Sequence, residues 1–365
     1  MEMLSLSTAL LEAMEGGKDP RELLCSMLHK EPSKGYGEFS GSDEELWQIL
    51  FHIASAADQR RVKTPKTYIT DINSVTTLIE KSSHIVVLFG AGASSGPDFR
   101  SQGGLYDTIE REGLLEDPYQ VFDIDIFKED PSIFWRYAHL IFPSTDPVYS
   151  AAHYFVEALE NRGKLLRLYT QNVDALERGI SDEHLRCVHG SWRQSFCESC
   201  GKRFSIEDIR PAVNARLVPK CSCGGAVRPG IVFYGQATNL DEQEAYEDSE
   251  VADLLIVIGT SLQVAPISEL PALMHKIPSI LINREPVTCE FNVELLGECA
   301  DIIEALEKKL QWNFPRIGNP DLEPQFLEPN RFVFHKEGYE GTCVVEDGRN
   351  KFLATPCLAD DDFVL

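Results

Sequence analysis

The sequence predicts an α/β protein, an open doubly wound parallel sheet of Rossmann-like type with a smaller domain inserted. Three observations carry that expectation. Runs with a continuously apolar centre, HIVVLF, LLRLYT, DLLIVIGT and PSILINRE, recur along the chain, with helical stretches such as SAAHYFVEALENRG and SELPALMHK between them. A strand that is apolar at successive positions is buried on both faces, as when helices cover a parallel sheet from either side. The first of these runs leads directly into a glycine-rich turn, the feature that opens a ligand crevice in such sheets. Finally, a polar, cysteine-bearing stretch over about 191–230 fits no strand–helix unit.

Taken in order, residues 1–66 read as a charged helical extension: STALLEAMEGG, then PRELLCSMLHK, then SDEELWQILFHIASAADQRR. Ser42 is placed to cap the last of these, whose Trp47, Leu50, Phe51 and Ile53 keep helical spacing. RRVKTPK reads as a linker. The main domain is expected over 67–312, opening with the helix INSVTTLIEKS before HIVVLF and carrying the 191–230 insert. Residues 313–365 read as an extended, proline-rich segment packed on the core and ending in the acidic ADDDF.

Composition narrows the function. The 365 residues hold 34 Lys and Arg against 58 Asp and Glu, a net charge of −24, which argues against direct nucleic-acid binding or attachment to an anionic membrane through the net field. A hydrophobic content of 43% supplies a core and excludes wholesale disorder. No apolar run reaches the roughly 20 residues that span a bilayer. The N-terminal MEMLSLSTALLEAMEGG lacks the basic start and long apolar centre of a secretory signal, so the ten cysteines point to a reducing compartment.

The turn Gly90-Ala91-Gly92-Ala93-Ser94-Ser95-Gly96 lets backbone amides approach a phosphate at a helix N-terminus. The alternative is a tight strand–helix connection. Its spacing is G-x-G-x-x-x-G, and no acidic residue ends a strand about 20 residues later, so dehydrogenase geometry is not indicated. Asp98-Phe99-Arg100 follows, an aromatic between an acid and a guanidinium that suits a ring and a phosphate, or else a surface loop with its Phe in the core. Gln171, Asn172 and Asp174 end the strand LLRLYT, where side chains face the crevice. The plainer reading is that Asn172 or Asp174 caps a helix over VDALERG. Gly259, Thr260 and Ser261 after LLIVI, and Asn283 after PSILI, fall under the same rule. His189 precedes a glycine and the cysteine insert and is the candidate proton carrier. His29, His52, His139, His153, His275 and His335 are read as structural.

Cys197-x-x-Cys200 and Cys221-x-Cys223 suit a tetrahedral Zn²⁺. Four thiolates close the shell, so the site should be structural rather than catalytic. The alternative is two free thiol pairs, and the one-residue bite of the second pair is tighter than usual. The remaining cysteines show no pairing and read as buried or free thiols.

In order, GAGASSGPDFRS, YTQNVDALE, VHGS, the cysteine pairs, VRPGIVFYGQ, VIGTSLQVAP and ILINREP resemble the motifs of the sirtuins, NAD-dependent protein-lysine deacylases. The resemblance runs from about Ser42 to Trp312 and is nearest to the nuclear animal deacetylase branch. PNRFVFHKEGYE is similar to a C-terminal segment of that branch that adds a hairpin to the sheet.

The resemblance implies that Gly90, Ala91, Gly92, Asp98 and Arg100 hold NAD, and that Phe99 shields the ribose centre. It places Gln171, Asn172 and Asp174 around nicotinamide and its ribose, with Asn172 and His189 catalytic and His189 the general base. Gly259, Thr260, Ser261 and Asn283 fall on the adenosine side, with Cys299 and Ala300 near the adenine. Val232 and Phe233 would pair with an acetylated peptide as an added strand, leading the acetyl-lysine to His189. The implied products are nicotinamide, O-acetyl-ADP-ribose and free lysine, the implied partners acetylated proteins with histones among them, and the implied compartment the nucleus, with the cytoplasm as the alternative.

The chain departs from the pattern in two places, the C-x-C pair and a loop before PDFR about three residues short. The short loop supports a second reading, a sirtuin-like module that binds NAD or partners but turns over poorly. Sirtuins specific for acidic acyl groups carry Tyr-x-x-Arg, whereas Tyr106 here is followed by Asp107, Thr108 and Ile109, so a neutral acyl group is expected.

Overall fold

The structure is a computed structural model. It describes residues 67–94, 104–113, 115, 117–315, 317, 322 and 324–334, the backbone of 341–346 and 349–354, and, nearer the N-terminus, 10, 13, 14, 16–21, 23, 46–48 and 50. The chain divides into two units, Met1–Thr67 and Tyr68–Leu365. In the first, Leu46 and Leu50 are buried at helical spacing. Ser42, Phe51 and Ile53, named above for the same helix, lie outside the described residues.

The second unit is built on the expected parallel sheet. The helix Ile72–Lys81, capped by Asp71, leads into β1 (Ile85–Phe89). The helix Ala151–Asn161 precedes β2 (Leu165–Thr170), and a short β3 (Leu185–Cys187) follows. An inserted antiparallel sheet comprises β4 (Gly190–Cys197), β5 (Arg203–Phe204) and β6 (Val227–Ile231), with the helix Ile206–Asn214 between the last two. The main sheet resumes with β7 (Leu254–Ile258), β8 (Ser279–Asn283) and β9 (Val293–Leu296), after which the helix Cys299–Leu310 packs back on it. A hairpin of β10 (Gln325–Leu327) and β11 (Arg331–Val333) completes it, and β12 (Gly341–Glu346) and β13 (Arg349–Ala354) form a separate antiparallel pair.

The main sheet has the order β10-β11-β9-β8-β7-β1-β2-β3 and is parallel except for β10. Continuous apolarity explains why its centre is covered twice. Ile85, Val87 and Phe89 of β1 pack with Phe155, Ile302 and Ile303, whereas Val86 and Leu88 join the opposite core with Ile267, Leu270 and Met274. β7 alternates in the same way. A third core lies around Phe134, Trp135, Trp192 and Phe233 and reaches Cys197 and Cys221 of the insert.

From the C-terminal segment, Arg331–Val333 pairs with β9 and with Gln325–Leu327, while 335–340 of PNRFVFHKEGYE lie outside the described residues. Two helical stretches read from the sequence turn out differently. SELPALMHK yields only a 3₁₀ turn at Ile267–Glu269 and the four-residue helix Leu270–Leu273. VDALERG forms no helix, and Ala175 adopts a left-handed φ of 60°. The plain reading of Asp174 as a helix cap is thereby removed.

Candidate functional site

The order of the sheet reverses between β1 and β7, since β2 and β3 continue on one side and β8 and β9 on the other. A crevice therefore opens beyond the carboxyl ends of β1 and β7. Glycine lets the two loops meet backbone to backbone there. The Gly90 N–H donates to the Ile258 carbonyl at 2.9 Å and the Gly92 N–H to the Gly259 carbonyl at 2.8 Å. A Cβ on Gly90 would lie 2.5 Å from the Gly259 oxygen, and one on Gly259, whose φ is +65°, would lie 2.1 Å from the Ala93 nitrogen. Ala91 and Gly92 stay exposed, so this backbone cradle is open to a ligand.

The end of β2 supplies the second wall. The Gln171 N–H donates to the Phe89 carbonyl at 2.9 Å, and its Nε2 donates to Thr260 Oγ1 at 3.1 Å, tying β2 to the β7 loop. Asp174 is buried and accepts from Ser94 Oγ at 2.6 Å and from the Leu176 N–H at 3.2 Å. Asn172 is buried as well, its N–H donating to Thr170 Oγ1, but its side-chain Nδ2 has no partner among the described residues. A buried amide donor left unpaired costs about 1–3 kcal/mol, which a bound acceptor would offset.

His189 stands beside this wall. Its Nδ1 lies 3.1 Å from the Gln171 carbonyl oxygen. A carbonyl only accepts, so Nδ1 carries the proton and Nε2 keeps its lone pair. Burial pushes the imidazole below its ordinary value, and the Gln171 carbonyl opposes this only in part. The ring is therefore a neutral base at neutral pH. Gly190 next to it has φ +74°, and a Cβ there would lie 2.2 Å from the Gly230 oxygen, so β4 and β6 approach too closely for a side chain.

The His189 carbonyl accepts from the Val232 N–H at 2.8 Å. Phe233 is buried in the aromatic core, and Gln236 holds its main chain, donating its own N–H to the Phe233 carbonyl and accepting the Phe233 N–H on Oε1 at 3.0 Å. On the far side of the crevice Ser261 is exposed, and Asn283 turns its amide to the Glu285 carbonyl at 2.8 Å. Cys299 opens its helix beneath β8, and burial pushes its thiol up to about 12. Ala300 beside it is half-buried. Asp98, Phe99 and Arg100, and with them the shortened loop, lie outside the described residues.

Two further groups at the site escaped the sequence reading. Ser150 and His153 form a capping box at the start of the helix Ala151–Asn161, and Ser150 Oγ lies 2.5 Å from the Ala93 carbonyl oxygen and 2.8 Å from His153 Nδ1. His153 is buried edge-on to Phe89, and desolvation lowers its pKa against the pull of Asp174. The helix thus anchors the glycine turn. The signal was present in the sequence as S-x-x-H before an apolar helix, a capping box with His at the third position.

The four cysteines of the insert converge. Cys197 Sγ lies 3.4 Å from Cys223 Sγ, Cys200 Sγ lies 3.7 Å from Cys221 Sγ, and all four sulfurs lie within 4.8 Å of one another. A tetrahedron of Zn–S bonds of about 2.3 Å has edges near 3.8 Å, so the set fits one zinc ion. Glycine makes the tight second pair possible. Gly224 has φ +87°, and a Cβ on Gly225 would lie 2.8 Å from Cys197 Sγ. The main-chain N–H of Cys223 draws the Cys221 thiol down to about 6, whereas, against the Lys202 N–H, the neighbouring sulfurs push the Cys200 thiol up to about 12.

For NAD the fit rests on the glycine cradle, which any Cβ would fill, and on the orphaned Asn172 amide beside a neutral His189. Residues 90–266 match the Sir2 family model. The NAD-dependent protein deacetylase sir-2.1 of Caenorhabditis elegans is 38% identical over 327 residues, covering 87% of this chain and 52% of that protein. NAD-dependent protein deacetylase sirtuin-1 of Homo sapiens is 36% identical over 317 residues, covering 82% of this chain and 41% of its own length. The chain thus spans about half, or less, of the length of these curated relatives. A solved structure, "Structural Basis for the Mechanism and Regulation of Sir2 Enzymes", superposes with a TM-score of 0.58 at 27% identity, over 67% of this chain and 98% of that one. By this likeness the chain belongs to the Sir2 family, the sirtuins.

Proposed function

We propose that the protein is an NAD-dependent protein-lysine deacetylase that yields nicotinamide, O-acetyl-ADP-ribose and the free lysine. One observation carries the reading: a neutral His189 held in its Nδ1–H form by Gln171, whose chain neighbour Asn172 has an Nδ2 with no partner among the described residues. When bound, NAD supplies an electrophilic ribose carbon and a leaving nicotinamide. Gly90, Ala91 and Gly92 would carry its phosphates, with Asp98, Phe99 and Arg100 closing over it. Gln171, Asn172 and Asp174 would orient the nicotinamide ribose, and Asn172 would give its free N–H to an oxygen acceptor there. Gly259, Thr260, Ser261, Asn283, Cys299 and Ala300 would line the adenosine side. His189 Nε2 would take a proton from a ribose hydroxyl, for which a buried base of lowered pKa is suited. An acetylated peptide would enter along the main chain of Val232 and Phe233.

In this reading 1–66 is a helical extension, 67–312 the catalytic domain with the zinc insert at 191–230, and 313–365 a segment packed on the core. The substrates are acetylated proteins, histones among them, with no direct nucleic-acid or membrane contact, and the protein acts in the nucleus. Among the described residues no helix is long and apolar enough to cross a membrane. Tyr106 and Ile109 sit three apart on one helix, and Ile109 is buried, so the place of an arginine that would read an acidic acyl group holds an apolar side chain. That supports a neutral acyl group.

The test is mass spectrometry of an acetylated histone-tail peptide incubated with the protein, with and without NAD. Loss of the acetyl group together with O-acetyl-ADP-ribose formation, only when NAD is present, is expected. Tight NAD binding without turnover would favour the alternative, a module weakened by its short loop.

A further inference from the structure

The turn that carries Asn172 and Asp174 is tied down by an ion pair that the chemistry above does not use. Past Asp174 the chain turns left-handed at Ala175 and then buries Glu177, whose side chain is 1% exposed. Arg193 of β4 reaches this residue. Its Nη2 donates to the Glu177 carbonyl at 2.5 Å and lies 3.4 Å from Glu177 Oε2. One residue earlier, the Trp192 N–H donates to the Val173 carbonyl at 3.1 Å. The turn is thus bound to β4 on either side of Asp174.

The strand is a firm anchor at this point. The Trp192 ring is buried and meets Phe142 at 5.0 Å and both Phe134 and Trp135 at 6.0 Å. The Arg193 N–H donates to Ser191 Oγ at 3.3 Å. Beyond Glu177, Arg178 fastens the turn to the helix Ala151–Asn161: its Nε lies 3.1 Å from Glu157, and its guanidinium sits 4.8 Å and 5.4 Å over the rings of Tyr149 and Tyr154. Charge gives the Arg193 contact its weight. Burial first, and the like charge of Asp174 second, push the Glu177 carboxyl above its ordinary value, and Arg193 pulls it back. Burial pushes the neighbouring Cys187 thiol up to about 12, so that group stays uncharged.

We infer that Arg193 is a positioning residue for the proposed reaction: acting through Glu177, it fixes the turn that sets Asn172 and Asp174 at the nicotinamide ribose. The inference rests on the deacetylase reading for what the turn touches, and it adds two residues to which that reading gives no part. A buried carboxylate stripped of its cation takes up a proton or moves towards water. Either change releases the turn, because the same guanidinium nitrogen also holds the Glu177 carbonyl. One nitrogen serves both acceptors, so the contact requires a positively charged donor and not the planar fork of arginine.

The experiment titrates the full chain separately with NAD, by calorimetry, and with a fluorescein-labelled acetylated histone-tail peptide, by anisotropy. The native protein is compared with Arg193→Gln, Arg193→Lys, Glu177→Gln and the double glutamine variant, each checked for a cooperative melt. Arg193→Gln should raise the Kd for NAD about five-fold or more and lower kcat with it, while the Kd for the peptide stays level. Arg193→Lys should recover most of the NAD affinity. Glu177→Gln should also weaken NAD binding, and the double variant should bind NAD no worse than the weaker single variant, because the pair acts as one unit. Unchanged NAD binding in Arg193→Gln, or losses that multiply in the double variant, overturn the inference. Equal losses of NAD and peptide affinity overturn it too, since they would make Arg193 a support of the fold alone. If Arg193→Gln does not melt cooperatively, Glu177→Gln decides by a raised or an unchanged Kd for NAD. NAD affinities in the expected order without any deacetylation would overturn the activity and leave Arg193 its part in NAD binding.

Discussion

Replacing Gly259 by alanine tests the crevice at its tightest point. The position has φ +65°, and its Cβ would lie 2.1 Å from the Ala93 nitrogen and 2.3 Å from the Gly92 carbonyl carbon. Both contacts are main chain, so no rotamer change relieves them. The left-handed backbone costs an L-residue about 1–2 kcal/mol, and forcing an extra carbon into packed structure adds about 1–3 kcal/mol. The total is about 2–5 kcal/mol. Gly113 supplies the control, with φ +64° but nothing within 4 Å of its Cβ, so that Gly113→Ala carries the backbone cost alone. At about 2 °C per kcal/mol for a chain of this size, calorimetry should show Gly259→Ala melting about 4–10 °C lower and Gly113→Ala about 2–4 °C lower. The Gly259 carbonyl also receives the Gly92 N–H, so displacing it opens the glycine turn proposed to carry the NAD phosphates. NAD affinity should therefore fall in Gly259→Ala and stay level in Gly113→Ala, as read by titration calorimetry. Equal melting temperatures for the two variants, or unchanged NAD affinity in Gly259→Ala, would refute the argument.

His189→Ala should lower turnover at least the ~10²-fold typical of losing a general base; wild-type turnover would remove His189 from that part. Because burial lowers the His189 pKa, the neutral base persists below the ordinary value of 6.5, so the acid limb of kcat/KM should fall below pH 6.5. By the same sign, its neutral burial favours the fold fully above pH 6.5 and loses that contribution as pH falls through the lowered value. Elemental analysis of reduced protein should find one Zn²⁺ per chain at Cys197, Cys200, Cys221 and Cys223, and chelation should unfold the insert before it affects any chemical step, because four thiolates leave no open position. A three-residue insertion between Ser94 and Pro97, restoring the family's loop length, should lower the KM for NAD, and kcat should rise as well if Phe99 is misplaced in the native chain; identical parameters would mean that the short loop positions Phe99 and Arg100 equally well.

Much of the frame is legible in local pattern. IVVLF, LLIVI and SILIN become β1, β7 and β8 because strands apolar at successive positions are stable only when covered on both faces. The C-x-x-C and C-x-C pairs meet as their spacing requires, and glycines at 224 and 225 relieve the tight bite. Local pattern misleads where the chain is spent on the site. VDALERG has helical composition, yet Asp174 is drawn to Ser94 and Ala175 turns left-handed, so that stretch lines the crevice instead. Ser150 is legible only as a helix start, because the group its hydroxyl holds, the Ala93 carbonyl, lies 57 residues away.

The sequence by itself determined the class of sheet, the glycine turn, the histidine and the metal ligands. Each depends on steric freedom or on a periodicity that spans only a few neighbours. Tertiary structure alone decided which of these groups meet. Ser94 bonds to Asp174 across 80 positions and Gln171 to Thr260 across 89, and both contacts exist because β1 lies between β2 and β7 in the sheet. That strand order is settled by how the covering helices pack on the two faces, which no local spacing records. The rings of Tyr106, Tyr119 and Tyr234 are of the same kind, brought together from three separate segments where the Tyr234 N–H donates to the Phe122 carbonyl and the Tyr234 carbonyl accepts from the Ile124 N–H.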